Sequence, residues 1–447
     1  MNAARIQRAL QCTVLSIVVG WGTAVAAEPA LKVFEIDLPT ALRLAGAQNL
    51  DLQLARSKLA EARADHESAR QQFFPWLTPG AGYRRHDGNT QAVTGEILDV
   101  SKQSYTAGAT LAAQWDLGDA IYKTLVARQL VTAADHAVAA QQQDTVLAAA
   151  QGYFDLAKAQ ATVGVATEAV RISQDYEQQL QQAVGIGVAF KGDALRVSVQ
   201  TARNRLALRQ AQEQQRVAAA RLAQTLHLDA VVDLVPRAAD LVPLALVATN
   251  VALETLVAQA LAARPELKQG QALVAAARDG QRGARYGALI PTVGAQVSAG
   301  GLGGGLSGQW GSFGDSEDYF VGVSWRIGPG GLLDRGRIHA ADARLRSTQL
   351  LDTRLKDEIT RQVVEAHTRV QSQADQFATA RQALATAEES LRLTRQRREF
   401  AVGIVLESIQ AEQDLTRIRS DYLAAIAEFN KAQYALNKAL GALGEQP

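Results

Sequence analysis

Gly300 to Gly311 is the stretch of this 447-residue chain where residue type and spacing first suggest chemistry. Glycine-rich loops cradle phosphates with backbone N–H groups, but those loops end in Lys-Ser/Thr and this one does not. It also lies between two strand-like patterns, so the sequence predicts a mobile loop there and not a nucleotide site. The six histidines are scattered, with no pair at i, i+4 and no cysteine partner, so no metal site is indicated. No G-x-S-x-G is present, and no motif sets two carboxylates together for acid–base work. Cys12 is the single cysteine. No enzymatic activity and no cofactor are therefore expected. Lys and Arg number 46 against 45 Asp and Glu, a formal net charge of +1. That balance argues against a nucleic acid partner, which a basic stripe would announce.

The spacing that does carry physical meaning is apolar alternation. From Tyr105 to Leu117 every odd position is apolar (Tyr105, Ala107, Ala109, Leu111, Ala113, Trp115, Leu117), while Thr106, Gly108, Thr110, Gln114 and Asp116 are small or polar. A period of two makes a strand with one greasy face and one wet face. Val293, Ala295, Val297 and Ala299 repeat it, and so do Tyr319, Val321, Val323, Trp325 and Ile327. Membrane strands need about 9–11 residues and carry aromatic girdles at both interfaces. Tyr105 with Trp115, and Tyr319 with Trp325, are the candidates for such a girdle. An amphipathic hairpin on a soluble core would show the same alternation, but here the pattern occurs twice.

These strands sit in a chain that repeats itself. Residues from about 40 to 228 recur from about 252 to 441; Asp144, Leu156, Val170 and Val197 answer Glu358, Val370, Leu384 and Ala411 at a constant offset of 214. Upstream, Phe74-Pro75 answers Ile290-Pro291, and Gln114 to Gly118 answers Ser324 to Gly328. A period of roughly 200 residues is too long for a solenoid, so each copy is a large half of one object. A helix is expected from Asp37-Leu38-Pro39-Thr40 to about Phe74, stopped by Pro75 and Pro79. Two strands follow, with a polar loop around Asp87 to Gln103. A proline-free helix then runs from about Asp119 to Ala183. Its counterpart, from about Arg335 to Phe400, carries an Ala-rich seam that includes Ile359, Val363, Ala366 and Val370. Gly185 and Gly187 end the first helix and Gly403 the second, and return helices run from Asp193 to about His227 and from Leu406 to about Leu440.

The organisation is then a leader at 1–27, a first repeat at 28–230, a connector at 231–251, a second repeat at 252–443 and a tail at 444–447. The first repeat has strands at about 77–118 and a helix hairpin at about 119–228. The second has strands at about 291–328 and a hairpin at about 332–441. The leader reads as a secretory signal peptide: Arg5 and Arg8 lead a short apolar stretch, and Ala24 to Ala27 offer a small-residue cleavage site. Cys12 falls inside it. The connector holds two Asp-Leu-Val-Pro runs and is expected to pack against the helices.

Four strands cannot close a barrel, because unpaired edge groups in lipid cost several kcal/mol each. Two chains would make a narrow filled barrel and three would enclose a lumen; alternation alone does not choose. The chain resembles TolC-type outer membrane factors, the outer membrane efflux protein family. The resemblance rests on Ile36 to Leu42 with Asn49-Leu50-Asp51-Leu52, and on Ala263-Arg264-Pro265-Glu266-Leu267 in the second copy. It also rests on Pro75 and Pro291 before the strands, on the Trp-x-Leu/Ile-Gly strand ends, and on Gly403 followed by Glu407 to Gln413.

That resemblance implies a mainly α fold with a small membrane β part. Three copies would form a homotrimer, with a twelve-stranded β-barrel in the outer membrane of a Gram-negative bacterium continued by a twelve-helix periplasmic tunnel. The implied function is the exit duct of a tripartite efflux or type I secretion system. The implied partners are outer membrane lipid, a periplasmic adaptor and an inner-membrane pump of RND, ABC or MFS type. Ile186-Gly187 and Val402-Gly403 match the family's adaptor-docking tips. Glu407 stands where the family's first tip acid stands, and Gln410 replaces the second. Asp193 is retained, while Phe400 and Val405 stand where relatives with a polar tip lock carry Tyr and Arg. Glu407, Gln410, Asp193 and Phe400 are therefore the expected gate, with Lys191 or Arg398 as substitute partners for Asp193. A ring of three Glu407 carboxylates would favour cations. The rival reading is a periplasmic coiled-coil scaffold or adaptor without a pore, although adaptors usually carry one hairpin flanked by β-rich domains.

Overall fold

The computed structural model describes residues 33–229, 232–237, 241–248, 251–306, 310–399 and 405–443. The expected leader with Cys12, and Phe400, Val402 and Gly403 at the second tip, lie outside the described residues.

The chain enters through strand β1 (Val33–Ile36) and helix α1 (Leu38–Gln48). Asp37 caps α1 by accepting from the Thr40 N–H at 2.8 Å, and Pro39 occupies the first turn, where no N–H is missed. The single helix expected up to Phe74 is in fact two. Asn49 adopts φ −59°, ψ 130° and caps helix α2 (Leu50–Gln71). An extended residue there turns its side-chain oxygen onto the orphan N–H groups of the next helix.

Strands β2 (Trp76–Gln91) and β3 (Ile97–Asp116) pair antiparallel without a break from Trp76–Ala112 to Gln91–Ile97. The polar loop expected around Asp87 to Gln103 is thus mostly ladder, and only the turn around 92–96 is loop. The side chains there are polar, but the backbone continues to pair in register. Helix α3 (Leu117–Gly185) follows, then α4 (Lys191–Thr225) and strand β4 (Asp233–Pro236), which pairs parallel with β1. β4 is the first Asp-Leu-Val-Pro run. Part of the connector docks on the last helix: Asn430 accepts from the Leu244 N–H and donates to the Val242 carbonyl.

The second half presents α5 (Leu253–Ala263), α6 (Pro265–Tyr286), β5 (Thr292–Leu306), β6 (Phe313–Ser324), α7 (Arg335–Glu399) and α8 (Val405–Ala439). The element order of the first half thus recurs, with α4 and α8 both 35 residues and α2 and α6 both 22. β5 runs through Gly300 to Leu306, so the glycine run expected as a mobile loop is largely strand. Its glycines answer to close packing. A Cβ on Gly300 would lie 2.4 Å from the Ala107 carbonyl oxygen, and one on Gly108 would lie 2.6 Å from that of Ala299.

α3 has 69 residues and spans about 100 Å at 1.5 Å per residue. No other single helix matches it on the first-half side; α4 and α2 do so by meeting end to end. The Asn49 amide donates to the carbonyl of Thr225, the last residue of α4, at 2.9 Å. α8 meets α6 at the corresponding place, where Lys438 reaches Glu266 at 3.5 Å, and Gln143 of α3 donates to the Gly441 carbonyl just past α8 at 2.8 Å. One core forms where Ile36, Leu156, Leu222, Leu226 and Leu234 are fully buried around Tyr153 and Phe154. A second gathers Ile359, Val363, Val370, Leu436 and Leu267. Each buried Leu contributes about 1.5–3 kcal/mol, and buried Ala149 and Ala150 let the helices approach closely.

Candidate functional site

The four long strands form one sheet in the order β2-β3-β5-β6, with every neighbour antiparallel. Directly paired residues point to the same side, so the register sorts side chains into two faces. One face carries Leu77, Pro79 and Ala81 on β2, Ala107 to Trp115 at odd positions on β3, Val293 to Ala299 at odd positions on β5, and Tyr319, Val321 and Val323 on β6. The other carries Thr78, Arg84, Thr106, Gln114, Gln296, Ser298 and Asp318, with Trp76, Leu302 and Phe320 among its large apolar side chains. Among the described residues, no helix is long and apolar enough to cross a membrane.

Aromatics mark the sheet at two levels. Tyr83, Tyr105 and Phe313 share one row across the strands. Tyr105 stacks on Phe313 at a centroid distance of 6.0 Å and donates to the Trp310 carbonyl at 2.6 Å. Ten residues along β3, Trp115 donates to the Phe73 carbonyl at 2.8 Å, and Trp325 donates to that of Leu289 at 3.3 Å. The two tryptophans thus fasten the strand ends to equivalent residues just before Pro75 and Pro291. Ten residues match the length of a tilted membrane strand, about 9–11. Tyr319 falls between the two levels, opposite Val297 and through it Leu111, and donates to Glu317 at 2.9 Å. Phe313, which alternation did not single out, occupies the row of Tyr105.

Beneath the sheet, adding a Cβ to Gly118 would bring it 1.9 Å from the Gly287 carbonyl oxygen, so the two halves touch backbone to backbone at the strand–helix junction. At mid-height, the two end-to-end helix joints are made differently. Asn49 accepts from the Asp51 and Leu52 N–H groups while donating to Thr225. Arg264, almost fully buried, instead binds Glu266 and donates to Gln362 at 2.6 Å. Burial works against the Glu266 carboxylate, but Arg264 and then Lys438, 3.5 Å away, hold it below its ordinary value. Both residues belong to the family-like motifs, yet their spacing gave no sign that they join helices.

The far end holds the α3–α4 turn. Gly187 has φ +77°, a conformation few other residues adopt, and its N–H and that of Val188 return to Val184 and Ala183 at 3.0 and 2.9 Å. Ile186, Val188 and Phe190 stand 76–77% exposed around this turn. Leu180, Ala194 and Val197 pack there against Val405 and Ile409, which brings the start of α8 beside the α3–α4 tip. Glu407 and Asp193 therefore belong to one end of the molecule. Asp193 pairs with Arg196 at 3.3 Å on its own helix, not with Lys191; the side chain of Arg398 lies outside the described residues. Glu407 pairs with Arg397 across the α7–α8 hairpin at 3.4 Å, and Gln410 is exposed. Arg395–Glu412 and Glu388–Arg419, at 3.7 and 3.4 Å, continue the link along the same hairpin. Sequence reasoning missed Arg397, because interhelical partners depend on the crossing of two helices and no local pattern records it.

The sequence profile of the outer membrane efflux protein family matches residues 41–226 and 256–442. No curated protein matches the chain significantly. Several solved structures share the fold. A membrane protein from Pseudomonas aeruginosa superposes with a TM-score of 0.77 at 20% identity, over 90% of this chain and 93% of that one. The Campylobacter jejuni CmeC outer membrane channel does so with a TM-score of 0.76 at 15% identity, over 91% and 85%. The open state of the Neisseria gonorrhoeae MtrE outer membrane channel gives 0.70 at 18%, over 91% and 89%.

Proposed function

The chain belongs to the outer membrane efflux protein family, and on that premise we propose that three copies form the exit duct of a tripartite efflux or type I secretion system. The observation that carries this reading is the four-stranded sheet, mainly apolar on one face and richer in polar residues on the other, with one edge of β2 and one of β6 unpaired among the described residues. An open edge in lipid leaves backbone groups unsatisfied, so the sheet must be completed by other copies. Three copies give twelve strands with the polar face lining a lumen. The helices, about 100 Å long, continue that wall through the periplasm. In this reading conduction is passive and the driving force comes from an inner-membrane pump.

At the far end, the exposed Ile186, Val188 and Phe190 around Gly187 offer an apolar tip to the hairpin of a periplasmic adaptor. Val402-Gly403 would supply the second docking tip. Glu407, with Arg397 beside it, and Asp193 form the polar part of the closing end, and Gln410 and Phe400 complete the proposed gate. The reading is tested by purifying the protein from outer membranes and recording its conductance in planar bilayers. Discrete channels from an oligomer of three agree with a duct. A detergent-stable oligomer without conductance, or recovery in the soluble fraction, rejects it.

A further inference from the structure

We propose that neighbouring copies join through an acid–base seam in one register, with β6 of one copy antiparallel to β2 of the next, Glu317 opposite Arg85 and Asp318 opposite Arg84. The proposal rests on the trimeric duct above and specifies how its wall closes. Two observations carry it, the charge on the free edges and the drift of the strand rows.

The edges are complementary. β6 carries Asp315, Glu317 and Asp318 near its outer end, and β2 carries Arg84, Arg85 and His86 just past its middle, followed by Asp87. Glu317 lies on the apolar face, where its recorded contact is the Tyr319 hydroxyl at 2.9 Å. A carboxylate there is costly in contact with lipid unless a cation meets it. Arg85 is on the same face, exposed, and bonds Asp87 at 2.8 Å.

The register follows from landmarks that the two halves share. Follow each row of paired residues from strand to strand. The start of the second hairpin, after Pro291, sits four row positions nearer the helices than the start of the first, after Pro75. Trp325 sits two positions nearer than Trp115 when the rows are continued by one residue. Two strands therefore shift the rows by about three positions, and the four strands of one copy by about six. The shift must be even, since an odd one would turn the apolar face inward. Within a copy the rows align Asp318 with Thr78 and Glu317 with Pro79. A shift of six moves Arg84 and Arg85 of the next copy to those places. Over twelve strands such a stagger tilts the strands by about 45°, as membrane barrels require. The same register sets Asp315 opposite Asp87, a like pair whose repulsion is offset by Arg85, 2.8 Å from Asp87, and by the Ser101 hydroxyl, which donates to Asp87 at 2.6 Å.

The test places cysteines in full-length protein purified from membranes. Ala81→Cys is combined with Tyr319→Cys, Val321→Cys or Val323→Cys, and each pair is oxidised. The seam predicts covalent links between copies chiefly for the Val321 pair; preferred linking through Tyr319 or Val323 overturns the register while leaving the ring intact. In a second arm, Arg85→Glu lowers the yield of detergent-resistant trimer about tenfold or more, because like charges then face each other at three seams. Combining it with Glu317→Arg restores the yield to within about twofold of the starting protein. A swap that rescues nothing, or a single change without effect, overturns the seam. A wild-type protein that forms no trimer overturns the duct itself.

Discussion

Replacing Asn49 separates two jobs that one side chain performs. Asn49 is 8% exposed. Its oxygen accepts from the Asp51 and Leu52 N–H groups at 2.9 and 3.1 Å, while its nitrogen donates to the Thr225 carbonyl at 2.9 Å. Asn49→Ala loses both. The cap is worth about 1 kcal/mol. The stranded Thr225 carbonyl costs about 1 kcal/mol more, the low end of the usual range, because Thr225 is only half-buried. Asn49→Ser keeps a capping oxygen but cannot reach α4, so it costs about 1 kcal/mol in all. Amide hydrogen exchange resolves the two effects. In Asn49→Ala the amides of Asp51 and Leu52 should exchange about fivefold faster, the equivalent of 1 kcal/mol of local opening. In Asn49→Ser they should stay near the original rate, while the α4 end opens in both variants. If Ser behaves like Ala at residues 51 and 52, or if Ala leaves them unchanged, the side chain is not the joint described.

The second joint responds to charge instead. Arg264→Met leaves the carboxylate of Glu266 buried without its main partner and should cost about 3–5 kcal/mol, read by chemical denaturation. Glu266 has its pKa depressed below 4.5 in the folded protein, so its contribution is full above 4.5 and is lost as pH falls through the folded value. Glu266→Gln should abolish that part of the acid sensitivity, and an unaltered acid unfolding curve would show the pair is idle. Gly187→Ala meets no atom within 4 Å, so its cost of about 1 kcal/mol comes from the positive φ alone, and it should weaken adaptor binding by disturbing the turn. Glu407→Gln should reduce cation preference in bilayer recordings; a high conductance with unchanged selectivity would remove Glu407 from the gate.

Alternation made the greasy and wet strand faces legible, because a period of two survives in a single strand. The length and order of the long helices were legible too, through proline-free stretches closed by glycine. Asn49 was hidden because an asparagine within a helical pattern signals a break only when the end of a distant helix, here Thr225, needs a donor. Gly300 to Leu306 read as a loop because composition does not reveal that the Ala107 carbonyl lies where a side chain would go. Partners across helices, Arg397 with Glu407 and Lys431 with Asp155, were hidden for the same reason: both join segments that are separate in sequence or fix a geometry that sequence does not encode.

On this reading, three copies enclose one continuous passage. Cryo-electron microscopy of the protein in lipid nanodiscs measures this directly. The account predicts a threefold particle with twelve strands within the disc and helices projecting about 100 Å from one side around a lumen that continues through the strands. A single copy, a closed particle with the sheet outside the lipid, or helices surrounding no passage would contradict it.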